Sequence, residues 1–203
     1  MSDKLYDKVL AANFSKVLTN KGYVYFTNGK YNLNLIGIRR AGNAVTNKFD
    51  DYIVAEYVDM YGIKSKDIFP ATTEPGMSSM TKPVSYKGCA ILVPGQYRGA
   101  WKLGYHQGKY EAIVQYKTLP VYRDNNKDKV YDFDNKTIEE GVFGINIHKA
   151  GTHSTQVDNW SAGCQVLANK DDFDKLMKLA HRQISQGYGK LFTYTLLNEE
   201  DLK

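Results

Sequence analysis

Two residue types capable of acyl transfer stand close together late in the chain. The run Gly144-Ile145-Asn146-Ile147-His148 closes an apolar stretch with a histidine. Trp160-Ser161-Ala162-Gly163-Cys164-Gln165 then sets a cysteine after a glycine, at the head of a second apolar run. A thiol becomes a strong nucleophile on losing its proton, and a neighbouring imidazole can take that proton and later hand it to a leaving group. Two strand ends joined by a loop would bring the pair together, with His148 closing one strand and Cys164 opening the next. Gly163 has no side chain to keep a substrate carbonyl from the backbone, and the N–H groups of Gly163 and Cys164 could hold a developing oxyanion. The plainer reading makes Cys164 a small buried residue and His148 a satisfied strand-edge histidine. A metal site built from His148, His153, Asp158 and Cys164 matches no recognised ligand spacing.

Positioning such a pair needs a sheet, and the pattern supplies one. Strand-like runs fall at Tyr31 to Leu35, Asp51 to Tyr57, Cys89 to Val93, Glu111 to Tyr116, Val142 to His148, Cys164 to Leu167 and Leu191 to Leu197. Leu5, Val9, Leu10, Phe14, Val17 and Leu18 share one helical face, which predicts a single helix over about residues 3 to 19, stopped by Asn20-Lys21-Gly22. A second helix follows the cysteine strand. Asn169 can cap it, Asp171 and Asp172 suit its positive end, and Phe173, Leu176, Met177, Ala180 and Ile184 form its buried stripe up to Gly187. Residues 70 to 87 read as a loop. No repeat or linker divides the chain, so residues 1 to 203 are expected to form a single domain.

Composition narrows the function classes. Of 203 residues, 42% are apolar, enough for a large core, and sixteen tyrosines with eight phenylalanines favour sheet. The net charge of +5 is spread without a dense basic block, so ordinary solubility explains it better than a nucleic-acid partner. No run reaches the length of a membrane span. The start lacks the apolar stretch of a signal peptide, which predicts synthesis in the cytoplasm.

Two further segments carry possible chemistry. Asp124, Asn126 and Asp128 alternate as calcium-loop oxygens do, but Lys129 and Asn135 stand where an EF-hand needs glycine and glutamate. Calcium and a polar hairpin loop between Val121-Tyr122 and Val130-Tyr131 are both open at that point. The strip from Pro94 to His106 mixes rings, glycines and cations. Either it lines a groove, with Trp101 on a sugar face and Arg98 on a carboxylate, or it is a hairpin with Trp101 in the core.

The histidine and cysteine segments together resemble the L,D-transpeptidase catalytic-domain (YkuD-like) family. Its members carry an isoleucine–histidine–glycine strand end, a loop, and then serine–histidine–glycine–cysteine. Ile147-His148-Lys149 and Ser161-Ala162-Gly163-Cys164 stand in those places. The acidic helix start at Asp172 and the closing run Gly189 to Tyr194 follow in the family's order. The likeness is clearest over residues 141 to 197 and extends over a core of about 85 to 200, with the N-terminal helix, residues 1 to 20, outside it. Lys149, Ala162 and Val166 depart from the family's glycine, histidine and arginine.

The resemblance implies a mainly β (α+β) fold and a peptidoglycan-directed cysteine enzyme that needs no cofactor. Cys164 would be its nucleophile and His148 its base, with Ser161 and Gly163 in the site. His153 and Gln165 would be possible substrate contacts. The partner would be a peptidoglycan stem peptide, reached after release from the cell or from within a phage particle. A silent wall-binding or phage structural module with the same fold is the alternative.

Overall fold

A computed structural model describes residues 3–203. The helices are α1 (Lys4–Ala11), α2 (Phe14–Asn20), α3 (Met77–Thr81) and α4 (Lys170–Ser185). The strands are β1 (Asn34–Arg39), β2 (Asp51–Val58), β3 (Lys64–Thr72), β4 (Cys89–Leu92), β5 (Gly95–His106), β6 (Tyr110–Gln115), β7 (Leu119–Asp124), β8 (Glu139–Gly141), β9 (Ile147–Lys149), β10 (Gln165–Leu167) and β11 (Leu191–Asn198). Eight strands close into a barrel in the order β1-β11-β5-β6-β9-β10-β3-β2, and β4-β7-β8 form a separate small sheet. The chain is therefore mainly β. Among the described residues no helix is long and apolar enough to cross a membrane.

The barrel's main core gathers Phe69, Trp101, Ile113, Ile147, Leu167, Phe192 and Tyr194 with Phe173, Leu176 and Ala180 of α4. On the other side of β1, β2 and β11, Leu5, Val9, Phe14 and Leu18 cover Ile36, Ile38, Val54 and Leu197. Strand β1 is thus buried on both faces, which is why Leu35-Ile36-Gly37-Ile38 reads as an unbroken apolar run. Helix α4 has the predicted cap: Asn169 Oδ1 accepts from Asp172 N at 2.9 Å.

Four sequence expectations change. The helix predicted over residues 3 to 19 is two helices, because Ala12 is extended and Asn13 starts a new cap by accepting from Lys16 N at 3.1 Å. The predicted loop over 70 to 87 contains the end of β3 and the short α3. The run at Val130-Tyr131 is not the partner of Val121-Tyr122. β7 pairs with β4 and β8, while Val130 bridges Ala44. Of the strand predicted over 142 to 148, only Ile147 and His148 join the ladder. Upstream, the Gln115 side chain replaces a neighbouring strand: its Oε1 accepts from Phe143 N at 3.0 Å and Ile145 N at 2.9 Å, and its Nε2 donates to Gly141 O at 2.9 Å.

Candidate active site

Strands β9 and β10 run parallel, with Gln165 opposite Ile147 and Val166 opposite His148. Cys164 stands two residues before Val166, in the turn that leads into β10. That register, with the Gln165 N–H donated to Asn146 O at 2.9 Å, sets the cysteine turn beside the strand that carries His148. The parallel pairing brings together residues that the intervening loop separates by sixteen positions.

His148 is 2% exposed. Its Nδ1 lies 2.8 Å from Lys149 O and 3.3 Å from the Tyr110 hydroxyl, which itself donates to Lys149 O at 3.2 Å. A carbonyl can only accept, so the ring proton sits on Nδ1 and Nε2 carries the lone pair. Nε2 is buried and has no hydrogen-bond partner. Lys149 O thus orients the ring, while Asp158 Oδ1 accepts from Asn47 Nδ2 at 2.7 Å. Burial, then the neighbouring His106, push the His148 pKa down to about 3, against the favourable Lys149 carbonyl.

Cys164 is partly exposed. Its thiol donates to Gly144 O at 3.2 Å, so no hydrogen bond joins it to His148. Crowding by protein atoms raises the thiol to about 11, and the Asn146 N–H opposes this. The open side of the sulfur lets water temper that push. At neutral pH the pair rests as neutral thiol and neutral imidazole, not as an ion pair.

The glycine before the thiol has a different task from the one expected. Gly163 has φ +130°, and a Cβ there would overlap the Ala90 carbonyl of β4. The close approach is thus to the protein's own backbone rather than to substrate. Its N–H is also engaged, donating to Ser161 Oγ at 3.1 Å, while Ser161 Oγ donates to Cys164 O at 2.8 Å. Ser161 shapes the turn, and of the two expected oxyanion donors only the Cys164 N–H makes no hydrogen bond among the described residues.

No family model, curated protein or solved structure matches this chain.

Two expected substrate contacts are interior. Trp101 is fully buried and donates from Nε1 to Ile145 O at 2.7 Å, so it is core. Gln165 is also fully buried. Its Oε1 accepts from Tyr194 OH at 2.8 Å and its Nε2 points at Gly163 O, 3.3 Å away, so its amide braces the cysteine turn. Two others are placed elsewhere. Arg98 is exposed and lines a cavity of about 500 Å³ with Lys117, Tyr188 and Leu191, and neither Cys164 nor His148 lines it. His153 is exposed and pairs by backbone with Asn169.

In the 124–132 loop, the polar side chains bond to one another and to nearby backbone. Asn126 Nδ2 donates to Asp132 Oδ2 at 2.8 Å and to Asp128 Oδ2 at 3.1 Å, and Asp124 Oδ2 accepts from Asp132 N at 3.0 Å. Among the described residues no three His, Cys, Asp or Glu side chains converge as a metal site.

Three site residues went unnoticed in the sequence: His106, Tyr110 and Asn146. The His106 and His148 rings stack with centroids 3.9 Å apart and 21° between planes. Asn146 donates from Nδ2 to His106 Nδ1 at 3.1 Å. A signal for the first two existed. Gln107 and Gly108 both have positive φ, 50° and 71°, in the turn that sets His106 opposite Tyr110. An X-Gly pair between alternating aromatic residues is a hairpin pattern.

Proposed function

We propose that this protein is a peptidoglycan-directed cysteine acyl-transfer enzyme of the L,D-transpeptidase-like kind, acting on stem peptides through a thioester. One observation carries the reading. His148 Nε2 is a buried, unpartnered lone pair on the strand beside the cysteine turn, with its tautomer fixed from behind by Lys149 O. Orphaned buried polar atoms are rare, and a base waiting for a proton accounts for this one.

The chemistry follows from that placement. Rotation of the Cys164 side chain moves Sγ from Gly144 O toward Nε2. Proton transfer to His148 accompanies attack of sulfur on the peptide carbonyl beside a diaminopimelate-type residue. The C–S bond forms, and the oxyanion takes the free Cys164 N–H. Collapse breaks the C–N bond, and His148 returns the proton to the departing amine. An amine or water, deprotonated by His148, then attacks the thioester and releases the thiol. The amine gives a cross-link and water gives hydrolysis. The wall would be reached after release from the cell or as part of a virion.

Incubation with stem tetrapeptides, followed by intact mass measurement, tests the reading. An acyl adduct on Cys164, absent in Cys164→Ser and strongly reduced in His148→Ala, is expected. Folded protein that yields neither adduct nor product with any donor peptide overturns it. A second reading, a silent module that keeps the fold, is favoured by the thiol's bond to Gly144 O and the engaged Gly163 N–H. It predicts wall binding that Cys164→Ser leaves unchanged, with no turnover.

A further inference from the structure

We propose that His106 is a positioning residue for the Cys164–His148 pair: its ring holds the His148 ring in the orientation that leaves Nε2 open to the thiol. The inference rests on reading His148 as the base.

His106 ends β5, is 8% exposed, and lies flat on His148 at 3.9 Å. It is itself restrained. Asn146 Nδ2 can only donate, so His106 Nδ1 accepts and its proton sits on Nε2. Asn146 Oδ1 in turn accepts from Gln115 N at 2.9 Å. The line of restraint runs from Gln115 through Asn146 and His106 to His148. Lys149 O and Tyr110 hold the Nδ1 edge of the same ring. Held on one face and one edge, the imidazole has little freedom to turn Nε2 away.

Asn146 also ties this line to the nucleophile. Its carbonyl accepts from Gln165 N at 2.9 Å, fixing the strand that follows Cys164, and its N–H acts on the thiol. A shift of His106 is therefore felt on both sides of the pair.

The charged and titratable groups around His148 are few. His106 comes from β5, Tyr110 from β6, Lys149 from β9 and the Cys164 thiol from the turn before β10. The Lys149 ammonium lies 4.8 Å over the Tyr110 ring, and Lys109 acts on His106 from the hairpin turn. Helix α4 presents the uncharged Phe173 to Tyr110. Both His106 and Lys149 disfavour a charged His148, and burial does so most.

Two measurements on the full chain test the role: the pH profile of Cys164 alkylation by iodoacetamide, assigned by mass spectrometry, and the NMR titration of the His148 imidazole. In His106→Ala the His148 titration is expected to move up by about one pH unit or more, with the alkylation rate at neutral pH falling about tenfold. His106→Phe keeps a flat ring on His148 but gives Asn146 Nδ2 no acceptor, and is expected to fall between the parent and the alanine variant. Should the alanine variant not fold, His106→Gln takes its place, with the same expected shift. An unchanged titration and rate in the alanine or glutamine variant overturns the role. If His148→Ala alkylates like the parent, the base reading fails instead, and the His148 titration in the His106 variants still reports on the stack.

Discussion

Asn47 grips Asp158 at two points. Its Oδ1 accepts from Asp158 N at 2.8 Å, and its Nδ2 donates to Asp158 Oδ1 at 2.7 Å. The same Oδ1 accepts from Met77 N at 2.9 Å, and the Asn47 carbonyl accepts from Val157 N at 3.0 Å. One residue from the β1–β2 connection thus locks the loop that leads into Ser161 and Cys164. Asn47 has φ +57°, which asparagine tolerates better than most residues.

Asn47→Ala removes the three side-chain bonds and strands two buried or half-buried N–H groups. A stability loss of about 2–3 kcal/mol is expected by denaturant titration. The Cys164 alkylation rate should change with it, because the loop that aims the thiol is released. A loss under about 0.5 kcal/mol would show that the clamp carries little.

Gly163→Ala is expected to be far worse than an ordinary glycine replacement. The added Cβ meets the Ala90 carbonyl, which is backbone of β4 and cannot swing aside, and φ +130° is itself strained for alanine. A cost of about 3 kcal/mol or more is expected, read as a drop in thermal midpoint. Gly144→Ala makes a contrast. Nothing lies within 4 Å of its added Cβ, so its cost is only that of φ +76°.

Local signals carried much of this architecture. The capped helix α4 and the apolar strand β1 could be read because cap chemistry and unbroken burial leave marks on neighbouring residues. Strand β5 was legible only as one of two readings of its strip, because Gly95, Gly99 and Gly104 interrupt it. Gly104 is there because a Cβ would press on Val114 of β6, a cross-strand relation that a linear pattern does not show. At the site, Cys164 and His148 could be read because they flank one loop. Asn146 could not, since it joins the pair through a side-chain hydrogen bond, and the Gln107-Gly108 turn was the one sign of where His106 stands. Gly163 was noticed for the wrong partner, because the sequence does not show that β4 passes beneath it.

The two cysteines should label very differently. Cys89 is buried, donates to Ser79 O at 3.2 Å, and has its thiol pushed up to about 12. Cys164 is partly exposed. Under native conditions iodoacetamide should modify Cys164 alone, with Cys89 reacting only after denaturant is added. Equal native labelling of both would contradict the packing of β4 against Met80 and Tyr122.

Acid should destabilise the fold through His148. Its folded pKa is down at about 3 while an unfolded histidine titrates near ~6.5, so the unfolded chain takes up the proton first. The stability from burying a neutral His148 is present above about pH 6.5 and is lost as pH falls toward the folded value. Glu74 works in the opposite sense. It is buried, its Oε1 makes no hydrogen bond, and burial followed by Asp51 raises its pKa well above normal despite Arg39 Nε 3.2 Å away. Its stabilising protonated form is present below the unfolded value of about 4.3 and is lost as pH rises through the folded one. The thermal midpoint should therefore fall on both sides of an optimum. His148→Gln should flatten the acid side and Glu74→Gln the alkaline side, the latter adding about 1 kcal/mol at pH near ~8. An acid limb of unchanged depth in His148→Gln would show that the imidazole is not held neutral by burial.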